Sequence, residues 1–211
     1  MPGVVAHVDH LVYASPDLDV GVAQIEMLIG VRATPGGTHP GGGTRNALLS
    51  LGPDVYLEIV GPDPAQVAPS GGRRFRIDEL TAPRLVMWAA KHAQLDRLVT
   101  DAAGAGIELG PVKSGSRRRP DGVLLRWRYT NPEAMVAGGV VPFFIDWGST
   151  PHPSSAAAVG PRLVDLRAEH PDPARVAMWL HRLGLDLRVT RADAPALVAV
   201  LAGQAGPLEL R

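Results

Sequence analysis

Two segments of the sequence place a carboxylate two residues after an aromatic ring: Tyr56-Leu57-Glu58 and Phe144-Ile145-Asp146. In an extended chain, successive side chains point to opposite faces. Val55, Leu57 and Ile59 then form an apolar face suited to covering by helices, and Tyr56, Glu58 and Val60 face the other way. By the same reasoning Val141, Phe143 and Ile145 form the apolar set and Phe144 and Asp146 oppose them. A carboxylate among such neighbours is costly to bury without a partner. If it is desolvated and unliganded its pKa rises, and it can serve as a general base. Glu58 and Asp146 are therefore the candidate catalytic groups. His10 shares a face with Val8 and Val12, opposite Leu11 and Tyr13; on these grounds it is either a strand histidine hydrogen-bonded near a sheet end or a third functional group.

The elements that would carry these residues repeat along the chain. Val4 to Tyr13 reads as a strand, and Ser15-Pro16-Asp17 opens a helix with Val22, Ile25, Leu28 and Ile29 on one face and Gly30 at its end. Arg45 to Leu51 and Val55 to Val60 follow as strands around the turn Gly52-Pro53-Asp54, and a short strand near Val31 to Thr34 completes a β-α-β-β-β order. A second unit has a strand at Leu85 to Ala89, a helix at Leu95 to Ala103 and strands at Ile107 to Val112, Val123 to Tyr129 and Val140 to Trp147. A third begins at Leu163 to Ala168, continues with a helix from Pro173 to Leu183, and adds strands near Leu187 to Thr190, Leu197 to Leu201 and Pro207 to Leu210. The starts HLVYASPDLD, RLVMWAAKHAQLD and RLVDLRAEHPDP can be laid over one another, and an internal repeat outranks any single-segment reading. The expected organisation is α+β, with modules over 1–70, 71–155 and 160–211.

Composition excludes several function classes. Among 211 residues, Lys plus Arg equals Asp plus Glu at 21 each. This balance removes the long-range attraction a nucleic-acid binder needs and argues against an anionic membrane surface. The basic run Arg117-Arg118-Arg119 sits among Ser, Gly and Pro and reads as a solvated loop spanning Lys113 to Gly122. With no cysteine, disulfides, thiolate catalysis and Cys-ligated zinc are ruled out. No leader-like segment or bilayer-length apolar run is evident, so the expected location is cytoplasmic. Ser149 and Ser155 lack a credible base and acid, which disfavours serine hydrolysis.

The phrases DHLVYASPDLD, GGTHPGGGTRNALLSLG, YLEIVGPDP and PFFIDWGSTPHPS, together with the repeat, resemble the glyoxalase-like domain family of the vicinal oxygen chelate superfamily. The resemblance covers residues 5 to 155 well and the rest loosely. It implies a curved mixed sheet forming a cup, with helices outside and a small-molecule ligand inside. Superfamily members include isomerases, transferases, dioxygenases and metal-free antibiotic-binding proteins, so fold is implied more firmly than chemistry.

The superfamily pattern of metal ligands at the first and fourth strands of each module implies His10 and Glu58 in module one and Asp146 in module two. A neutral imidazole with carboxylates suits Zn²⁺, Fe²⁺, Mn²⁺ or Ni²⁺. Arg84 aligns with His10 and cannot ligate a cation; it would pair with Asp146 or anchor a substrate carboxylate. The loop from Gly36 to Asn46 precedes a strand, not a helix, so phosphate-cradling and nucleotide-cofactor readings fail. It is expected to be a lid or rim, with His39, Arg45 and Asn46 as substrate contacts, or else a plain surface loop. Trp88 and Arg126 share the cup-facing parity of Arg84 and Leu124.

Two functional readings follow. One is an enzyme, a lyase, isomerase or dioxygenase, polarising a carbonyl or enolate of a small oxygenated molecule through the metal or carboxylate site. The other is a metal-free protein sequestering a hydrophobic or aromatic compound between Trp88, Tyr56 and Phe144. The third module either packs on the first two or mates with its copy in a homodimer.

Overall fold

The computed structural model describes residues 4–119, 122–203 and 206–211. Strand β1 (Val8–Ala14) leads into helix α1 (Leu18–Ile29), and strands β2 (Thr34–His39), β3 (Thr44–Gly52) and β4 (Val55–Pro62) complete the first unit. Helix α1 starts where the Asp17 carboxylate accepts hydrogen bonds from the Asp19 and Val20 amides, and stops at Gly30 in the left-handed region. Leu18, Gly21, Val22 and Ile25 form its buried stripe. Leu28, expected on that face, is 43% exposed. The packing of α1 on β4 is tight at Gly61, where an added Cβ would lie 2.7–2.9 Å from the N, Cα and Cβ of Leu18. Gly61→Ala is therefore expected to cost roughly 1–3 kcal/mol through overpacking, read as a lower denaturation midpoint at unchanged slope.

The second unit comprises β5 (Arg84–Lys91), α2 (Leu95–Gly104), β6 (Lys113–Arg118), β7 (Leu124–Tyr129) and β8 (Phe143–Asp146). The strand expected at Ile107 to Val112 is irregular chain anchored by the buried Ile107 and Leu109. The run read as a solvated loop instead forms β6, while Pro120 and Asp121 at its far end lie outside the described residues. Likewise the Gly-rich segment read as a lid is largely the β2–β3 hairpin, pairing His39 with Thr44 and Gly37 with Asn46. Alternation of apolar residues is the usual strand signal; TPGGTH and KSGSRR carry none, and their pairing is supplied by the neighbouring strands.

The two units join through antiparallel β1 and β5 into one curved sheet of order β2-β3-β4-β1-β5-β8-β7-β6, with the short β9 (Ala158–Val159) paired to β3. Each unit repeats the same pairing, its first strand parallel to its fourth. The outermost strands β2 and β6 approach one another, and the buried Arg117 donates from Nη1 to the Gly36 carbonyl across the gap. The result is a nearly closed α+β cup of the glyoxalase-like type.

The third unit, β10 (Leu163–His170), α3 (Pro173–Arg182), β11 (Arg188–Arg191), β12 (Ala196–Gly203) and β13 (Gly206–Leu210), keeps the order of elements but not the pairing. Its sheet runs β11-β10-β12-β13, with β10 antiparallel to β12. Leu166, Ala168, Val176, Leu180, Leu197 and Leu201 share one continuous apolar core with Leu11, Tyr13, Leu57, Trp88 and Phe144. This unit therefore packs against the outside of the cup. Among the described residues, no helix is long and apolar enough to cross a membrane.

Candidate functional site

Inside the cup, the imidazole of His10 on β1 and the carboxylate of Glu58 on β4 converge, with Nε2 3.8 Å from Oε2. Both side chains are almost fully buried. The cavity around them is small, about 50 Å³, and is also lined by His39, Asn46, Tyr56, Arg74, Arg117, Trp127, Tyr129, Phe143 and Trp147.

His10 is held from behind. Its Nδ1 lies 2.7 Å from Oδ1 of Asp9. An ionised carboxylate only accepts, so the proton sits on Nδ1 and Nε2 faces the cavity. Asp9 is fully buried and also accepts from Trp147 Nε1 at 3.0 Å and from His152 Nε2 at 3.2 Å. Burial raises the Asp9 pKa, but the bonds from His10 and His152 and their charges outweigh it and hold it at about 2. The His10 ring stacks on Tyr56 at 4.6 Å and meets Phe143 edge-on at 5.4 Å, which fixes its plane. Burial beside Asp9 and Glu58 raises the Tyr56 pKa well above its ordinary value, so it stays a phenol.

Glu58 is held from the front. Asn46 Nδ2 donates to its Oε1 at 2.6 Å and to His39 Nε2 at 3.3 Å, so one amide group bridges the two acceptors. His39 accordingly carries its proton on Nδ1, 2.8 Å from Thr44 Oγ1. Burial lowers the His39 pKa and favours the neutral ring. For Glu58, a raised pKa is expected only if the carboxylate is desolvated and without partners. Burial does push it up, but His39, His10, the Asn46 hydrogen bond and Arg117 outweigh this, and Glu58 lies below the usual value, ionised.

Other nominated residues lie elsewhere. Phe144 belongs to the helix-side core, and Asp146 faces outward, accepting from the Gly148 amide at 2.8 Å. It is Phe143 and Ile145 that enter the cup. Both faces of β8 are covered, so its apolar residues could not report which face was inside. Trp88 is also on the helix side, donating to the Val140 carbonyl at 2.8 Å. Arg84 and Arg126 are exposed outside the cup, and Arg45 turns away to pair with Asp19 on α1 at 3.1 Å. Val8 leaves the face of His10 for the helix side, because a register shift separates the two.

The alignment that matched Arg84 to His10 is out by three residues. His10 lies eight residues before α1 and Met87 eight before α2 (18 − 10 and 95 − 87). In the same way, Glu58 pairs with Val12 and Phe143 with Ala89, each six residues before its helix (18 − 12 and 95 − 89). Met87 and Phe143 thus occupy the places where the superfamily pattern implies the second pair of ligands. With Asp146 outside, no three His, Asp or Glu side chains among the described residues converge to hold a metal ion. The Asn46 N–H groups further engage Glu58 Oε1 and the lone pair of His39 Nε2, which takes His39 out of any ligand set. The residues present do not fit the expected divalent ion.

The sequence reading missed Arg74, Arg117, Trp127, Tyr129 and Trp147 as cavity residues, and Asp9 and His152 behind them. Asp9 adjoins His10 in the sequence, an available signal; His152 and Arg117 are brought in by the fold alone.

The model of the glyoxalase-like domain family matches residues 8–184. Among solved structures, a hypothetical protein from Staphylococcus aureus superposes with a TM-score of 0.67 at 11% identity, covering 97% of this chain and 98% of that one. Its likeness bears on the fold, third unit included. Methylmalonyl-CoA epimerase from Mycobacterium tuberculosis matches with a TM-score of 0.41 at 21% identity, over 69% of this chain and 89% of that one. A single-residue variant of the Streptomyces coelicolor methylmalonyl-CoA epimerase, in complex with 2-nitronate-propionyl-CoA, matches with a TM-score of 0.44 at 20% identity, over 66% of this chain and 95% of that one. No curated protein matches the sequence.

Proposed function

The chain belongs to the glyoxalase-like domain family, and we propose that it is an enzyme that moves a proton at carbon next to a carbonyl in a small oxygenated molecule, by carboxylate and imidazole chemistry. The observation that carries this reading is the buried, ionised Glu58 facing the cavity-side Nε2 of His10. A carboxylate in that position can take a proton from substrate carbon. His10, with Nδ1 tied to Asp9, can accept or return a proton at Nε2, in the way a carboxylate-oriented imidazole does elsewhere. A substrate seated against the aromatic walls would displace water from the cavity, which strengthens every electrostatic contact inside. Since the donor set does not suit a divalent ion, no step in this reading passes through one.

The test is solvent exchange. In D2O, a panel of small enolisable aldehydes, ketones and 2-oxo acids is expected to gain deuterium at the α-carbon faster with the protein than without, and chelator should leave the rate unchanged. Failure of every compound to exchange faster with protein, or loss of exchange on chelation, would sink the proposal. The second reading, a metal-free sequestering protein, is favoured by the cavity's aromatic lining of Trp127, Tyr129, Phe143 and Trp147; it predicts tight binding of aromatic compounds without any exchange.

A further inference from the structure

The cup contains two guanidinium groups that the acid–base reading does not use. Arg117 is only 7% exposed, and among the described residues its hydrogen bond to protein is to the Gly36 carbonyl. A guanidinium carries five N–H donors. None of the Arg117 nitrogens is among the buried atoms without a partner, and the side chain lines both this cavity and a neighbouring pocket bounded by Thr34, Leu48 and Ala156. Among the described residues Arg117 makes no ion pair closer than 4 Å, and neither does Arg74. Arg74 donates to the Tyr129 hydroxyl at 3.2 Å and lies over that ring at 5.7 Å.

A buried cation without a carboxylate partner is expensive. Both guanidinium groups line the same cavity as Glu58. From this placement we infer that the substrate is an organic anion, most simply a carboxylate, whose charged group binds Arg117 and Arg74 while its carbon skeleton lies against Trp127, Trp147 and Phe143. This inference rests on the acid–base reading of the same cavity and specifies its substrate class. It also gives Arg117 a second effect. Arg117 is one of the groups that hold the Glu58 pKa down, so an anion that neutralises it leaves Glu58 a stronger base while substrate is bound. The role of carboxylate anchor that the sequence suggested for Arg84 passes to residues on other elements.

The test uses the full chain and two probe pairs: phenylacetate with phenylacetamide, and benzoate with benzamide. Each pair shares a ring and differs in charge. Trp127 and Trp147 lie in the cavity wall with ring centroids 5.3 Å apart and planes tilted by 48°, so binding can be followed by quenching of tryptophan fluorescence and checked by calorimetry. The acids are expected to bind at least about 10-fold more tightly than their amides, with a preference that shrinks as salt rises. Arg117→Gln should weaken the acids about 10- to 100-fold, as expected for loss of a charged hydrogen-bonding partner, and leave the amides unchanged; Arg117→Lys should restore part of the loss.

Because Arg117 also ties β2 to β6, Arg74→Gln serves as the second variant, expected to act in the same direction without touching that seam. Equal binding of acids and amides, absence of saturable binding by either acid, or acid affinities that both variants leave intact would overturn the inference. Charge-dependent binding without deuterium exchange on any enolisable acid would instead remove the proton-transfer reading and leave the anion site standing.

Discussion

Glu58→Gln is expected to lower the α-proton exchange rate by a factor of about 10² to 10⁴, the usual worth of a positioned general base, with ligand binding retained. Glutamine keeps the shape, and its amide oxygen can still accept from Asn46. What it cannot do is take a proton from carbon. The pH profile supplies a second check. Glu58 lies below its ordinary 4.5 in the folded protein, so the acid limb of kcat/KM, which reports the free enzyme, should fall below pH 4.5. A Glu58→Gln protein that exchanges protons within a few-fold of the parent, or an acid limb near pH 6, would remove Glu58 as the base and leave the imidazole of His10 to be tested next.

Asp9→Ala is expected to give the largest loss of stability. The change strips the acceptor from three donors at once, the buried one of His10 and the half-buried ones of Trp147 and His152. Breaking a buried, hydrogen-bonded charge cluster by removing one partner costs roughly 3–5 kcal/mol. For a chain of this size, that corresponds to a fall in melting temperature of about 6–20 °C. His10→Ala should cost less, because Asp9 then keeps two of its donors. The same group makes stability depend on pH with a definite sign. The Asp9 pKa is depressed from 3.8 to about 2 on folding, so its contribution is fully present above about pH 4 and is lost as pH falls through 2. Its size is about 2 kcal/mol by linkage. Denaturant titrations between pH 5 and 2 should therefore show a drop that is missing in Asp9→Ala. Parallel curves for the two proteins would show that the carboxylate is not held as the geometry implies.

The two predictions separate the roles of neighbouring carboxylates. Asp9 orients the imidazole and never reaches the cavity, so it is a positioning residue. Asp9→Asn tests this without removing the side chain. It should lower the exchange rate, while the affinity for a carboxylate probe changes little, since Arg117 and Arg74 do not touch Asp9. A purely structural role would instead weaken rate and affinity together.

The α+β architecture and the repeat of units were legible in the chain before any coordinates, because helix caps and apolar alternation are local signals, and the family resemblance implied the cup. Asp17 and Gly30 mark the ends of α1, and Val55 to Val60 alternates as a strand with one polar position. That local order also identified Tyr56 and Glu58 on β4, while the family resemblance pointed to His10 on β1 and to His39 and Asn46 on the hairpin; all five line the cavity. Where both faces of a strand are covered, however, an apolar residue carries no sign of which side it takes. Phe143 and Phe144 exchanged places for this reason, Trp88 went to the helix side, and Asp146 moved outside the cup.

The overlay of HLV on RLV failed for a related reason. Leu-Val pairs recur in many strands, whereas the equivalence of Met87 to His10 is set by distance from the helix and by pairing with the fourth strand. The remaining parts of the site came from the folded chain. Folding brought Arg117 from a segment without strand signal and Arg74 from a short 3-10 segment into the cavity that holds Glu58, and it seated His152 and Trp147 on Asp9. These contacts join residues far apart in the chain, and a buried charge is located by what surrounds it in space, which no local pattern records.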